Sequence, residues 1–209
     1  MKMQVVDRID TAYHIADFLS ADEDRALVAY LAGVPQRAHE AYDPVHEFAF
    51  AHPVYDGEVV LGRSEAAAGE PIWFGGRPVQ GTPLPEPLAD LRDRAQDALR
   101  TSGHTELERL AEAPFTSVYV DRYEAGGLFV PHVDRNCYGP IVVGVSAGPG
   151  EADLGFVHRT GELAPMSIPL APRSLYAFCG AVRWEPWLHH VADVTANRFG
   201  ITYRQPAVA

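Results

Sequence analysis

Lysine is almost missing from this chain: of 17 basic residues only Lys2 is not an arginine. With the abundant alanine, glycine and proline, that bias reads as codon usage and receives no functional weight. Positive charge as a whole is also short. Against the 17 basic residues stand 28 acidic ones, a formal net charge of −11, whereas proteins that grip a phosphate backbone present a basic stripe that releases counterions. The balance argues against a nucleic-acid partner, although a local arginine cluster in a cleft can outvote a global acidic sum. Cysteine is scarce too. Cys137 and Cys179 are the only two, and a lone pair in a chain of this size without an export signal is expected to be two reduced thiols. No basic-then-apolar segment precedes Tyr13-His14-Ile15, and no run approaches the roughly 20 apolar residues of a membrane span. A cytoplasmic protein without membrane contact is the expectation.

What is present is enough apolar material for a core. With 209 residues and 47% apolar composition, one domain over 1–209 is expected, its helical and lid portion over 1–113 and its strands over 114–209. Ser20, with Glu23 three residues on, forms a capping box that opens a helix through Leu27, Val28 and Leu31 to Gly33. Poor periodicity from Pro35 to Glu70 predicts loops and short strands. Pro87 suits a first helical turn, and Leu88, Leu91, Ala95 and Leu99 follow at helical spacing before Gly103. After Pro114 the pattern changes to eight short, turn-punctuated strands: 116–123, 130–134, 140–146, 154–158, 166–170, 174–178, 188–191 and 198–204. An α-helical start followed by such strands predicts an α+β fold, a double-sheet jelly roll (double-stranded β-helix) with N-terminal helices buttressing one sheet.

The chemistry concentrates in His132-Val133-Asp134. On a strand, residues i and i+2 share a face, so this imidazole and carboxylate can grip one ion while Val133 turns away. Two histidines and one carboxylate make the facial triad of non-haem Fe(II) oxygenases, which leaves coordination positions open. Candidates for the third ligand are His158, His189 and His190. His158 lies 24 residues after Asp134 and His189 lies 55 residues after it, far enough for a sheet to return to the ion, so His189 is preferred. Alternation forbids His189 and His190 from facing the same ion. In the last strand, alternation puts Arg198, Gly200, Thr202 and Arg204 on one face and Phe199, Ile201 and Tyr203 on the other. The two arginines, about 20 Å apart along an extended strand, can bracket a dicarboxylate, since guanidinium is the preferred bidentate partner of carboxylate.

With His132-Val-Asp134, Trp-x-His-x-Val over Trp187 to Val191, and Asn197-Arg198-x5-Arg204, the chain resembles the AlkB-like family of Fe(II)/2-oxoglutarate-dependent dioxygenases over most of its length. The resemblance implies that His132, Asp134 and His189 bind Fe(II). It implies that Arg198 pairs with the far carboxylate of 2-oxoglutarate, with Tyr123 beside it, and that Arg204 lies near the metal-chelating end. The implied reaction consumes O2 and decarboxylates 2-oxoglutarate to succinate and CO2 while a substrate C–H is hydroxylated; a hydroxylated N-methyl group then leaves as formaldehyde. The Pro71-Ile-Trp-Phe-Gly-Gly-Arg77 segment sits where the family has a substrate lid.

Two departures stand out. Where the family has Asn-x-Tyr, this chain has Asp121-Arg122-Tyr123, and a carboxylate near 2-oxoglutarate is unfavourable unless a cation offsets it. Two positions after the HxD, where nucleic-acid repair members place an acidic residue, stands Asn136. With the acidic charge, this favours a small molecule or another non-nucleic-acid target over an alkylated base. The rival reading, an AlkB-type demethylase of alkylated DNA or RNA, draws on the whole-chain resemblance and on a lid of Trp73, Phe74 and Arg77 that can stack and hold a flat substrate. A jelly-roll binding module without turnover is the third reading. Trp184 and Trp187 are expected to wall the iron pocket, and His158 and Cys137 to be structural.

Overall fold

The computed structural model describes residues 11–34, 84–134 and 138–206 with their side chains, and the backbone of short strands outside them. The chain begins with β1 (Gln4–Val5) and β2 (Ala12–Ile15). Ser20 then caps α1 (Ala21–Gly33) as its spacing predicts: Glu23 N donates to Ser20 Oγ at 3.2 Å and Ser20 N to Glu23 Oε2 at 2.8 Å, which satisfies two otherwise orphaned donors of the first turn. The stretch expected to hold short strands contains β3 (Gln36–Ala38), β4 (Val45–Phe48), β5 (Val54–Tyr55), β6 (Leu61–Arg63) and β7 (Ala68–Pro71). β8 (Trp73–Phe74) and β9 (Arg77–Pro78) follow and pair with each other.

α2 (Glu86–Arg100) carries the expected apolar stripe inward, with Leu88, Leu91, Ala95 and Leu99 buried. α3 (Thr105–Leu110) is not anticipated by the sequence reading, because one and a half turns offer too few periods to see. Its C-terminal carbonyls are satisfied from two sides. Gln96 Nε2 donates to Ala111 O at 2.7 Å, and Gln205 Nε2 to Leu110 O at 2.6 Å, so the helix end is buried without orphaned acceptors.

The remaining strands are β10 (Ser117–Tyr123), β11 (Phe129–His132), β12 (Tyr138–Ala147), β13 (Ala152–His158), β14 (Met166–Leu170), β15 (Leu175–Phe178), β16 (Trp187–Ala192) and β17 (Arg198–Pro206). All eight expected strands are present. β11 ends two residues early, so Asp134 follows the strand rather than lying on it, and a 3-10 turn (Gly180–Arg183) intervenes before β16. Among the described residues the large sheet runs β1-β2-β15-β12-β17-β10-β4-β3, with β5 also pairing with β10, and the small sheet runs β11-β16-β13-β14. The two sheets face each other as the predicted jelly roll.

Strand alternation divides the burial into two cores. On one face of the large sheet, Val143, Val145, Phe199, Ile201 and Tyr203 pack against α1, α2 and α3. Leu31, Leu88, Leu99 and Leu107 are fully buried in that layer, each contributing about 1.5–3 kcal/mol of transfer free energy. Tyr203 Oη also donates to Leu88 O at 2.8 Å, which pins α2 to β17. The opposite face meets the small sheet across Val142, Leu154, Phe156, Ile168, Tyr176 and Phe178. The polar side chains of β10 and β17 open into this second layer.

Candidate active site

Between the sheets lies a cavity whose polar lining comes from both of them. From β10 come Tyr119, Asp121 and Tyr123; from β17 come Arg198, Gly200, Thr202 and Arg204; the small sheet supplies His132 and His189. The face of β17 that sequence alternation assigns to a ligand is the face that lines it. Register explains the pairing along its length, since Tyr123 is the partner of Arg198 and Asp121 of Gly200.

At one end His132, Asp134 and His189 converge, each offering one ligand atom, with these atoms all within 4.8 Å of one another. His132 and His189 are register partners on β11 and β16, and the chain turning off β11 after His132 brings Asp134 beneath both rings. His132 Nδ1 lies 2.9 Å from Val130 O. A carbonyl only accepts, so Nδ1 carries the proton and Nε2 keeps its lone pair for a metal. His189 Nε2 is 3.8 Å from Asp134 Oδ2, a gap that suits an ion bridging two ligands rather than a hydrogen bond.

Electrostatics put these groups in ligand form. Burial lowers both histidines, His189 to about 3, so both are neutral at pH 7. Burial would raise Asp134, but its surroundings outweigh it and hold the carboxyl well below its usual range. His189 is neutral above about pH 3, so the arginines carry that effect at neutral pH. Arg204 Nη2 donates to Asp134 Oδ1 at 2.8 Å, and Arg183 Nη1 lies 3.7 Å from Oδ2. The guanidinium of Arg204 also sits 5.2 Å from the ring centre of Tyr138. Arg204 is thus tied to the metal-binding end, as the resemblance implies.

A pH dependence follows. An unfolded histidine takes up a proton near pH 6.5, which folded His189 refuses until about pH 3. Between these values the unfolded state holds more protons, so stability rises with pH across the window and is lost as pH falls through it. Asp134, depressed as well, adds its loss only below its unfolded value of about 3.9. Melting of the metal-free protein from pH 7.5 to 4.5 is expected to show a progressive loss. His189→Gln is expected to reduce that slope by up to about 1.4 kcal/mol per pH unit.

At the cavity's other end Arg198 is 1% exposed. Its Nη2 donates to Ser146 Oγ at 2.6 Å, while Nε and Nη1 have no acceptor among the described residues. Burial lowers its pKa and only the phenols Tyr123 and Tyr176 pull the other way; no carboxylate among the described residues neutralises it. A desolvated cation in this state calls for an anionic ligand. The donor set therefore fits a group with a metal-chelating end at His132, Asp134 and His189 and a carboxylate at Arg198. Asp121, 5% exposed, lies in the same lining.

The other expected residues do not join the three converging groups, although His190 borders the cavity. His190 faces away from His189 and lays its ring over Gly155, where a Cβ would come within 2.2 Å of the imidazole. His158 bonds Thr160 and meets Trp187 edge-on at 5.1 Å. Neither Trp187 nor Trp184 lines the cavity. Trp187 shares the face of His189 but stands one pleat repeat farther along β16, and Trp184 lies over the guanidinium of Arg183 at 4.4 Å. The side chains of Trp73, Phe74 and Arg77, together with Asn136 and Cys137, lie outside the described residues. Sequence reasoning passed over Arg183, whose isolated position before Trp184 carries no periodic signal, and Tyr176, which reads as one more aromatic of an apolar strand.

No curated protein matches the sequence. Among solved structures, OsALKBH1 superposes with a TM-score of 0.65 at 17% identity, covering 97% of this chain and 99% of that one. A Pseudomonas putida prolyl-4-hydroxylase gives 0.54 at 15% identity over 95% and 94%. An oxidoreductase of the 2OG-Fe(II) oxygenase family from Burkholderia pseudomallei gives 0.56 at 14% identity over 94% and 84%. At these identities the likeness is one of fold. The family model of the 2OG-Fe(II) oxygenase superfamily, however, matches residues 11–204, nearly the whole of the chain in which the two histidines, the aspartate and the two arginines were found, and on that match the chain belongs to this superfamily of Fe(II)- and 2-oxoglutarate-dependent dioxygenases.

Proposed function

We propose that His132, Asp134 and His189 hold the Fe(II), that Arg198 pairs with the far carboxylate of 2-oxoglutarate with Tyr123 beside it, and that the enzyme hydroxylates or N-demethylates a small molecule or another non-nucleic-acid target. When bound, the iron supplies activation of O2, coupled to decarboxylation of 2-oxoglutarate to succinate. The protein's own contribution is positional. Val130 O fixes the His132 tautomer, Arg204 holds Asp134 ionised and oriented, and Arg198 draws the dicarboxylate to the end of the cavity remote from the ligands. Leu154, Leu170 and Phe178 give the cavity an apolar wall that limits water around the reacting carbon.

The observation that carries the co-substrate assignment is the fully buried Arg198 guanidinium, which meets no carboxylate among the described residues. The preference for a non-nucleic-acid substrate rests on the net charge of −11. A second reading, oxidative demethylation of alkylated nucleic-acid bases, is favoured by a higher TM-score with OsALKBH1 than with the prolyl-4-hydroxylase. The test is succinate formation from Fe(II) and 2-oxoglutarate, with and without N-methylated single-stranded DNA or RNA, following the oligonucleotide by mass. Succinate without change in the oligonucleotide supports the first reading. Methyl loss coupled to succinate replaces it with the second, and no succinate under any condition counts against both.

A further inference from the structure

The carboxylate end of the cavity holds a residue that no motif names. β15, β12 and β17 run side by side, and Gly144 on β12 is the register partner of Tyr176 on one flank and Thr202 on the other. The phenol of Tyr176 crosses between them. A Cβ built on Gly144 would fall 2.0 Å from Tyr176 Cζ and 2.2 Å from its Oη, so the ring lies against the glycine, over the strand that separates Tyr176 from Thr202. Every other residue at 144 would evict the ring.

That route delivers the hydroxyl to the field of Arg198. Tyr176, Thr202 and Arg198 line the same cavity, and Nε and Nη1 of the buried guanidinium have no acceptor among the described residues. Burial pushes the Tyr176 hydroxyl above the usual phenol range, and the opposing pull of Arg198 does not overcome it. The group is therefore a neutral donor at physiological pH and not the counterion of Arg198. A neutral phenol has one proton to donate, available to a ligand that enters the cavity beside Arg198.

We propose that Tyr176 is a co-substrate-binding residue, its hydroxyl donating to the same ligand carboxylate that Arg198 pairs with, held in place by the gap over Gly144. The inference rests on the dioxygenase reading above and adds to it a further recognition group beside Arg198.

Oxalate separates the two. It shares the metal-chelating end of 2-oxoglutarate and lacks the far carboxylate. Calorimetric titration of the Mn(II)-loaded wild type and Tyr176→Phe with each ligand is expected to show 2-oxoglutarate binding weakened about tenfold or more, the usual loss for a hydrogen bond to a charged group, with oxalate binding and melting temperature unchanged. Gly144→Ala, which displaces the ring while leaving the hydroxyl in the chain, is expected to weaken 2-oxoglutarate as well. Wild-type affinity for 2-oxoglutarate in either variant, or a parallel loss of oxalate in Tyr176→Phe, overturns the role of Tyr176. A wild type that binds neither ligand defeats the dioxygenase reading itself, and the inference with it.

Discussion

Arg198→Met is expected to raise the KM for 2-oxoglutarate by about 100-fold or more and, at the same time, to make the ligand-free protein more stable. Both follow from one geometry. In the proposed binding mode Arg198 forms a buried ion pair with 2-oxoglutarate, and removing one partner of such a pair costs about 3–5 kcal/mol because the other charge is left desolvated. Without 2-oxoglutarate the same guanidinium is fully buried with a single hydrogen bond, to Ser146, among the described residues. Replacing a buried ion by an apolar chain of similar length is then neutral or stabilising by about 1–4 kcal/mol. A rise of roughly 2–4 °C in melting temperature per kcal/mol is the expected scale for a chain of this size. Added 2-oxoglutarate should raise the melting temperature of the metal-loaded wild type and not of the variant. If the variant keeps the wild-type KM, or melts lower without ligand, Arg198 is a structural cation and the co-substrate anchor must be sought elsewhere.

Asp134→Ala is expected to have the largest effect on the metal-free protein. It removes the carboxylate that Arg204 bonds at 2.8 Å and that Arg183 faces at 3.7 Å, where Arg183 is fully buried and Arg204 mostly so. The expected loss is about 3–5 kcal/mol of stability, together with all metal binding. His132→Ala supplies the contrast. His132 is half-buried, neutral, and among the described residues bonded only to Val130 O, so that variant should lose the metal while its metal-free stability falls by less than about 1.5 kcal/mol, the scale of one hydrogen bond. Mn(II) binding followed by electron paramagnetic resonance, beside denaturant midpoints of the metal-free proteins, separates the two effects. Equal stability losses in the two variants would mean that the arginines around Asp134 do not depend on it.

Much of this arrangement is legible before any coordinates. The eight strands of the jelly roll announce themselves because each is short and bounded by turns, and β17, which alternates, is the clearest: Phe199, Ile201 and Tyr203 go to the helix-facing core while Arg198, Thr202 and Arg204 go to the cavity. The capping box at Ser20 is a purely local device, so spacing suffices to find it. What escapes is whatever depends on contacts between strands. Tyr176 belongs to the cavity because the Cα of Gly144 lies beside it, a fact of register. Arg183 reaches Asp134 from a 3-10 turn that has no sequence period. Trp187 has the alternation of an inward residue yet stands too far along β16 to wall the cavity, since alternation specifies a face and not a depth. Asp134 holds its expected neighbours from a loop, because the turn off β11 does what a strand position was expected to do.

The division of the apolar side chains into two cores bears on how such an enzyme can change over evolutionary time. β10, β12 and β17 pack against the helices on one face and carry the second core or the cavity lining on the other, so a substitution there disturbs two layers at once. Among the described residues β11 is an edge strand, and Leu128 just before it and Val130 on it are left 42% and 39% exposed near His132. A lineage can therefore redraw the mouth from the β11 side, and with it the choice of target, at small cost in folding. Arg198, Arg204 and Tyr176 stand in the wall that tolerates least.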